Sequence, residues 1–248
     1  MTDIHNANKR LVAQLTSALY DYSPDNVCKT LNSLFSEDAL IQLSFPFESL
    51  RGPDALFKNA YCGLYNAIPD LERRDHIVIA GPTNHADNWV GCCGYYTGSF
   101  EKPWLDIPPT GHQVAMRFHE FFRIENDKIV EMQAIWDIPE VMLQANAWPM
   151  APSLGREWQV PSPALQNGIV QGPWDQAHSA SSQQLVSDMC DALGNFADGG
   201  VEAMELEKYW HPRCSWYGPA GIGTGRGIAG FRNWHQIPFL NGLPDRVG

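Results

Sequence analysis

Residues 112–137 read HQVAMRFHEFFRIENDKIVEMQAIWD, two runs rich in β-branched and aromatic residues on either side of Glu125-Asn126-Asp127. Asn and Asp tolerate the positive φ that a tight hairpin requires. The stretch therefore predicts antiparallel strands over 112–124 and 128–137. Alternation along the first separates Arg117, His119, Phe121 and Arg123 from Met116, Phe118, Glu120 and Phe122, and the second face is the more apolar. Upstream, RRDHIVIA (73–80) and ADNWVGCCGYYTGS (86–99) have the same strand-forming composition. Gly91, Gly94 and Gly98 let the strand around them bend or bulge, as a strongly curved sheet requires.

The segment preceding these strands is written twice. LVAQLTSALYDYSPDNV from Leu11 lies over LVSDMCDALGNFADGGV from Leu185, with Leu11, Leu15, Ala18 and Leu19 matching Leu185, Met189, Ala192 and Leu193 at helical spacing. After a one-residue shift, Phe35 falls on Trp210, Arg51-Gly52 on Arg226-Gly227, Leu64 on Phe239, and Pro69-Asp70 on Pro244-Asp245. Both copies read as helix, helix, short strand, Arg-Gly turn and helix. Only the first is followed by the four strands. The expected organisation is a complete unit over 1–147, a proline-rich linker over 148–182, and the opening half of a second unit over 183–248. Pro149, Pro152, Pro161, Pro163 and Pro173 punctuate the linker, and Trp148, Trp158 and Trp174 predict that it lies against the first unit. Helices with an apolar face must bury it. The half-unit is thus expected to belong to a longer reading frame or to dock on another surface, including a second chain.

Composition bounds the function. The 248-residue chain is 44% hydrophobic and only 18% charged, a globular composition. Its net charge of -11 argues against a nucleic-acid partner, which would need clustered Lys and Arg. MTDIHNANKR does not read as a secretory signal, and no apolar run suits a membrane helix. The six cysteines lack C-x-x-C spacing and read as free thiols in a reducing, cytoplasmic setting.

Proton-transfer chemistry uses a carboxylate or imidazole held in an apolar surround. Glu120 interrupts the apolar face of its strand and reads as a pocket acid or as part of a packing surface. Asp137 precedes Ile138-Pro139-Glu140, so it reads equally as a helix cap and as a pocket acid or base. His119, among aromatics, and His85, in the turn Thr83-Asn84-His85, read as structural imidazoles or as partners of that acid. His85, His112 and His119 show no H-x-H or H-E-x-x-H spacing, and neither metal nor cofactor is expected. The run Gly218–Gly225 lacks the Gly-Lys-Ser/Thr ending of a phosphate-binding loop and reads as a turn. Trp89, Tyr95, Tyr96, Trp136, Trp216 and Tyr217 are core residues or line a pocket for a flat apolar ligand.

The paired helices, the curved sheet and the closing run KIVEMQAIWDIPEVMLQ resemble the SnoaL-like polyketide cyclases of the nuclear-transport-factor-2-like superfamily. WYGPAGIGTGRGIAGFRNWHQIPFL resembles the opening half of the same domain. The resemblance implies an α+β fold in which a cone-shaped, curved, mainly antiparallel sheet wraps around helices and leaves a deep pocket, with dimers formed through the sheet's outer face. It also implies acid-base chemistry without a cofactor, and carries the family's carboxylate onto Asp137. The expectation is a cyclase, dehydratase or isomerase acting on a small, largely apolar carbonyl compound. Asp137, His119 and His85 would be catalytic, with Glu120, Tyr96, Trp136 and Trp89 around the substrate. The alternative is a non-catalytic ligand-binding or dimerisation module, and the two differ in whether these groups converge inside the cone.

Overall fold

The computed structural model describes residues 3–245 except 84, 86, 158, 161, 164–166, 170, 171 and 174. The chain divides into two compact units, one comprising Met1–Trp148 and Pro161–Pro173, the other Pro149–Val160 and Trp174–Gly248.

In the first unit, α1 (Ile4–Tyr20) and α2 (Pro24–Leu34) precede β1 (Phe35–Leu43), β2 (Ser49–Arg51), α3 (Pro53–Leu56), a π-helical turn (Phe57–Tyr61) and α4 (Cys62–Ala67). The strands β3 (Glu72–Pro82), β4 (Asn88–Ser99), β5 (Gln113–Glu125) and β6 (Lys128–Trp136) follow, and α5 (Ile138–Gln144) closes the unit. Asp3 starts α1 by accepting from the backbone N–H groups of His5 and Asn6 at 3.0 and 3.3 Å, which supplies partners that a helix's first turn otherwise lacks. The apolar stripe of α1 then buries Val12, Leu15 and Leu19 completely. Each such side chain contributes about 1.5–3 kcal/mol on leaving water.

The sheet has the order β2-β1-β6-β5-β4-β3, with β1 parallel to β6 and every other pair antiparallel. The hairpin expected from 112–137 is present, and Asn126 and Asp127 take positive φ of 49° and 58° at its turn. Along β5, Val114, Met116, Phe118, Glu120, Phe122 and Ile124 are all buried, which makes this the inner face. A bulge between Asp75 and Ile77 interrupts the β3–β4 register. Gly94 permits it, since a Cβ there would lie 2.1 Å from the Arg74 carbonyl oxygen. The bulge keeps Arg73 and Asp75 on the inner face and brings Val78 in after them, opposite Cys92.

The second unit contains α6 (Gln176–Leu193), α7 (Phe196–Ala203, interrupted at Gly199-Gly200), α8 (Leu206–Tyr209), the short pair β7 (Ser215–Trp216) and β8 (Gly225–Arg226), α9 (Gly227–Phe231), a π-helical turn (Arg232–Gln236) and α10 (Ile237–Gly242). Helix α6 begins inside the stretch expected to be linker, because Asp175 caps it by accepting from His178 N–H at 2.8 Å. The core here is small, formed by Met204, Leu206, Phe231 and Leu240, while Leu185, Val186, Phe239 and Leu243 stay exposed.

Candidate functional site

The inner face of the first unit's sheet carries a buried ionic cluster. Arg73 on β3 places its guanidinium between two carboxylates, donating to Asp75 Oδ1 from Nη2 at 3.0 Å and to Glu120 Oε2 from Nη1. Glu120, on β5, also accepts from the Tyr96 hydroxyl at 3.0 Å and from Trp136 Nε1 at 2.9 Å. Tyr96 spends its proton on Glu120, so the 3.1 Å contact between hydroxyls has Tyr61 as donor. The aromatic ring of Phe118 backs the guanidinium, with Cζ 4.3 Å from its centroid. Burial alone would lower the Arg73 pKa, but the charges of Asp75 and Glu120 outweigh it and hold Arg73 well above the usual guanidinium value. Burial, reinforced by Glu120, pushes both tyrosine hydroxyls up, so they stay protonated and serve as donors.

Asp75 links this cluster to open space. Its Oδ2 accepts from Thr16 Oγ1 of α1 at 2.5 Å, and its side chain lines a cavity of about 420 Å³. Lys9, Val12, Ala13, Thr16 and Tyr20 of α1 form one wall, and Arg73 to His76, Val78 and Cys92 of the sheet form another. Ser162, Pro163 and Ile169 complete the lining. Asp75 is the one carboxylate among the described lining residues. Burial lowers the Lys9 pKa, opposed by the Asp3 charge, and burial likewise lowers that of His76 against the opposing charge of Asp75. Burial pushes the Cys92 thiol up, beyond the range of a reactive thiolate. Apolar walls with a few convergent polar groups are the usual make-up of a small-molecule site.

The structure brings together three of the residues singled out in the sequence, Glu120, Tyr96 and Trp136. It places the others elsewhere. Asp137 stands at the N-cap position of α5, where its carboxylate pairs with Arg117 Nη2 at 3.2 Å. His119 is on the opposite face of β5 from Glu120, with Nε2 3.9 Å from Cys93 Sγ, and burial together with Arg117 lowers its pKa. His85 is exposed in the β3–β4 turn, donating its backbone N–H to Thr83 Oγ1 at 3.2 Å. Trp89 pairs with Arg123 on the His119 side of the sheet. Arg73 and Asp75 are absent from the sequence-based set. Four charged residues, Glu72 to Asp75, at the start of a strand that continues into Ile77-Val78-Ile79-Ala80 were the available signal.

One family model, described as SnoaL-like polyketide cyclase, matches residues 11–145. No curated protein matches the chain. Among solved structures, a SnoaL-like protein from Jannaschia sp. CCS1 is 20% identical, with 60% of this chain and 98% of that one covered and a TM-score of 0.50. AclR from Streptomyces galilaeus is 18% identical over 60% of this chain and 90% of its own, with a TM-score of 0.49. IdmH from Streptomyces antibioticus is 19% identical over 56% and 96%, with a TM-score of 0.46.

Proposed function

Because this chain belongs to the SnoaL-like polyketide cyclase family, we propose that its first unit is a cofactor-independent acid-base enzyme acting on a small, largely apolar carbonyl compound. The observation that carries the reading is the position of Asp75, a carboxylate on the cavity wall with Lys9 and Arg73 lining the same space. In this scheme Asp75 takes a proton from the carbon beside a carbonyl, and Lys9 faces the enolate oxygen as negative charge develops there. The enolate carbon then attacks a second carbonyl of the same molecule. The resulting alkoxide recovers the proton from the Asp75 carboxyl, so atoms and charge balance over an intramolecular aldol closure. Arg73 positions Asp75 and is itself held by Glu120. The catalytic role expected of Asp137, with His119 and His85, passes in this proposal to the inner-face residues.

The test uses 2-acetonaphthone, an aromatic ketone, in D₂O, with exchange of its acetyl hydrogens followed by NMR. The wild-type protein accelerates the exchange, and Asp75→Asn reduces the acceleration by about 100-fold or more, with thermal melting confirming that the variant folds. Equal acceleration by Asp75→Asn removes Asp75 from the role. Loss in Asp137→Asn together with retention in Asp75→Asn returns the role to Asp137.

We also read the second unit as half of a domain of the same kind. In its support, Arg51-Gly52 and Arg226-Gly227 each place a glycine at positive φ, 76° and 64°. Each is followed by a short helix, a five-residue π-helical turn (Phe57–Tyr61, Arg232–Gln236) and a six-residue helix (Cys62–Ala67, Ile237–Gly242).

A further inference from the structure

Strand β3 ends the six-stranded sheet, so one of its edges has no strand neighbour within that sheet. Part of this edge is nevertheless engaged. Val78 N–H donates to the Gly168 carbonyl at 2.8 Å, and Val78 and Ile169 form a parallel bridge. The approach is close enough to need glycine, since a Cβ on Gly168 would lie 2.2 Å from the His76 carbonyl oxygen, a backbone atom with little freedom to move. Further along, the Asn6 side chain of α1 donates to the Gly172 carbonyl. Ser162, Pro163 and Ile169 are thereby brought to the cavity that Asp75 lines. All three lie beyond residues 11–145, the part of the chain that the family model matches.

We infer that Ile169, set against the edge of β3 by Gly168, is a specificity-determining residue that limits the width of the ring system the cavity accepts. The inference rests on the reading of that cavity as the substrate site and goes further, to what limits the size of the compound it takes. Ile169 lines the cavity yet remains 45% exposed, so it retains apolar surface for a ligand to cover. It shares the lining with Val12, Ala13 and Val78, while the ionisable groups Lys9, Arg73 and Asp75 come from α1 and β3. A flat compound with its carbonyl toward those groups would extend its hydrocarbon edge to Ile169. The residue that measures the far edge of such a compound comes from outside the matched domain.

The probe is 6-propionyl-2-(dimethylamino)naphthalene, a fused-ring ketone whose emission responds to apolar surroundings, with acetophenone as a single-ring competitor. Ile169→Trp weakens the naphthalene probe by about tenfold or more while acetophenone binding changes by less than about threefold, an asymmetry that general damage to the site would not produce. Gly168→Val, which forces the edge contact apart and moves the wall that Ile169 forms, releases the limit and strengthens the fused-ring probe relative to acetophenone by about threefold or more. Ala13→Trp blocks the cavity from the α1 side and is the control. If Ala13→Trp abolishes probe binding and both Ile169→Trp and Gly168→Val stay within twofold of wild type, the role of Ile169 is overturned and the cavity reading stands. If Ala13→Trp also leaves binding unchanged, or the wild-type protein does not bind the probe, both are overturned. Thermal melting of each variant confirms folding.

Discussion

Glu120 is the residue on which the inner cluster depends, because one carboxylate satisfies Arg73, Tyr96 and Trp136 at zero solvent exposure. Without Glu120, Arg73 keeps Asp75 alone and the buried Tyr96 and Trp136 donors lose their acceptor, and breaking a buried ion pair typically costs about 3–5 kcal/mol. Glu120→Ala is expected to lose that much in urea unfolding at pH 7. Glu120→Gln, which keeps an acceptor for Tyr96 and Trp136, is expected to lose less, and equal losses would mean that those two hydrogen bonds contribute nothing beyond the charge on Glu120. Strict alternation in 114–124 made Glu120 legible in the sequence. Alternation along 128–137 carries Asp137 away from the Trp136 side, which a resemblance of motifs does not register. Arg73 and Asp75 escaped notice because the facing of residues 73–78 depends on a bulge that composition does not mark.

At the scale of elements, that bulge is what composes the site. Regular pleating would turn Ile77 inward after Arg73 and Asp75, whereas the register shift brings in Val78 and sets it opposite Cys92. Gly94 is the requirement on the facing strand, with no space for a side chain against the Arg74 carbonyl. Gly94→Ala is expected to destabilise the first unit by roughly 2–3 kcal/mol, the range for strain imposed on a fixed backbone. Denaturant unfolding measures this, and a loss below about 0.5 kcal/mol would show that β3 shifts register without difficulty. The glycines of β4 were legible as sites of bending. The residue each one accommodates was not, because that is a property of the neighbouring strand's register.

The two units differ in how much apolar surface each encloses. The first buries a continuous core from Val12 to Val141, whereas the second buries Met204, Leu206, Phe231 and Leu240. Amide exchange is expected to follow that difference, with Gln176–Leu193 exchanging about 100-fold or more faster than Gln113–Glu125, as local opening is easier where few apolar contacts are lost. Equal protection in a mass-spectrometric time course would contradict it. The repeat in the sequence predicts helix, helix, short strand and helix for both copies. It did not foretell the edge contact at Gly168, since a glycine among prolines reads as a turn until a strand is known to lie beside it. That contact bears on solubility as well as on ligand choice. A bare strand edge is a template on which other chains stack in register. Gly168 and Ile169 act as a stopper on the rim of the sheet, and a chain cut at Trp148 would leave that rim open to self-association.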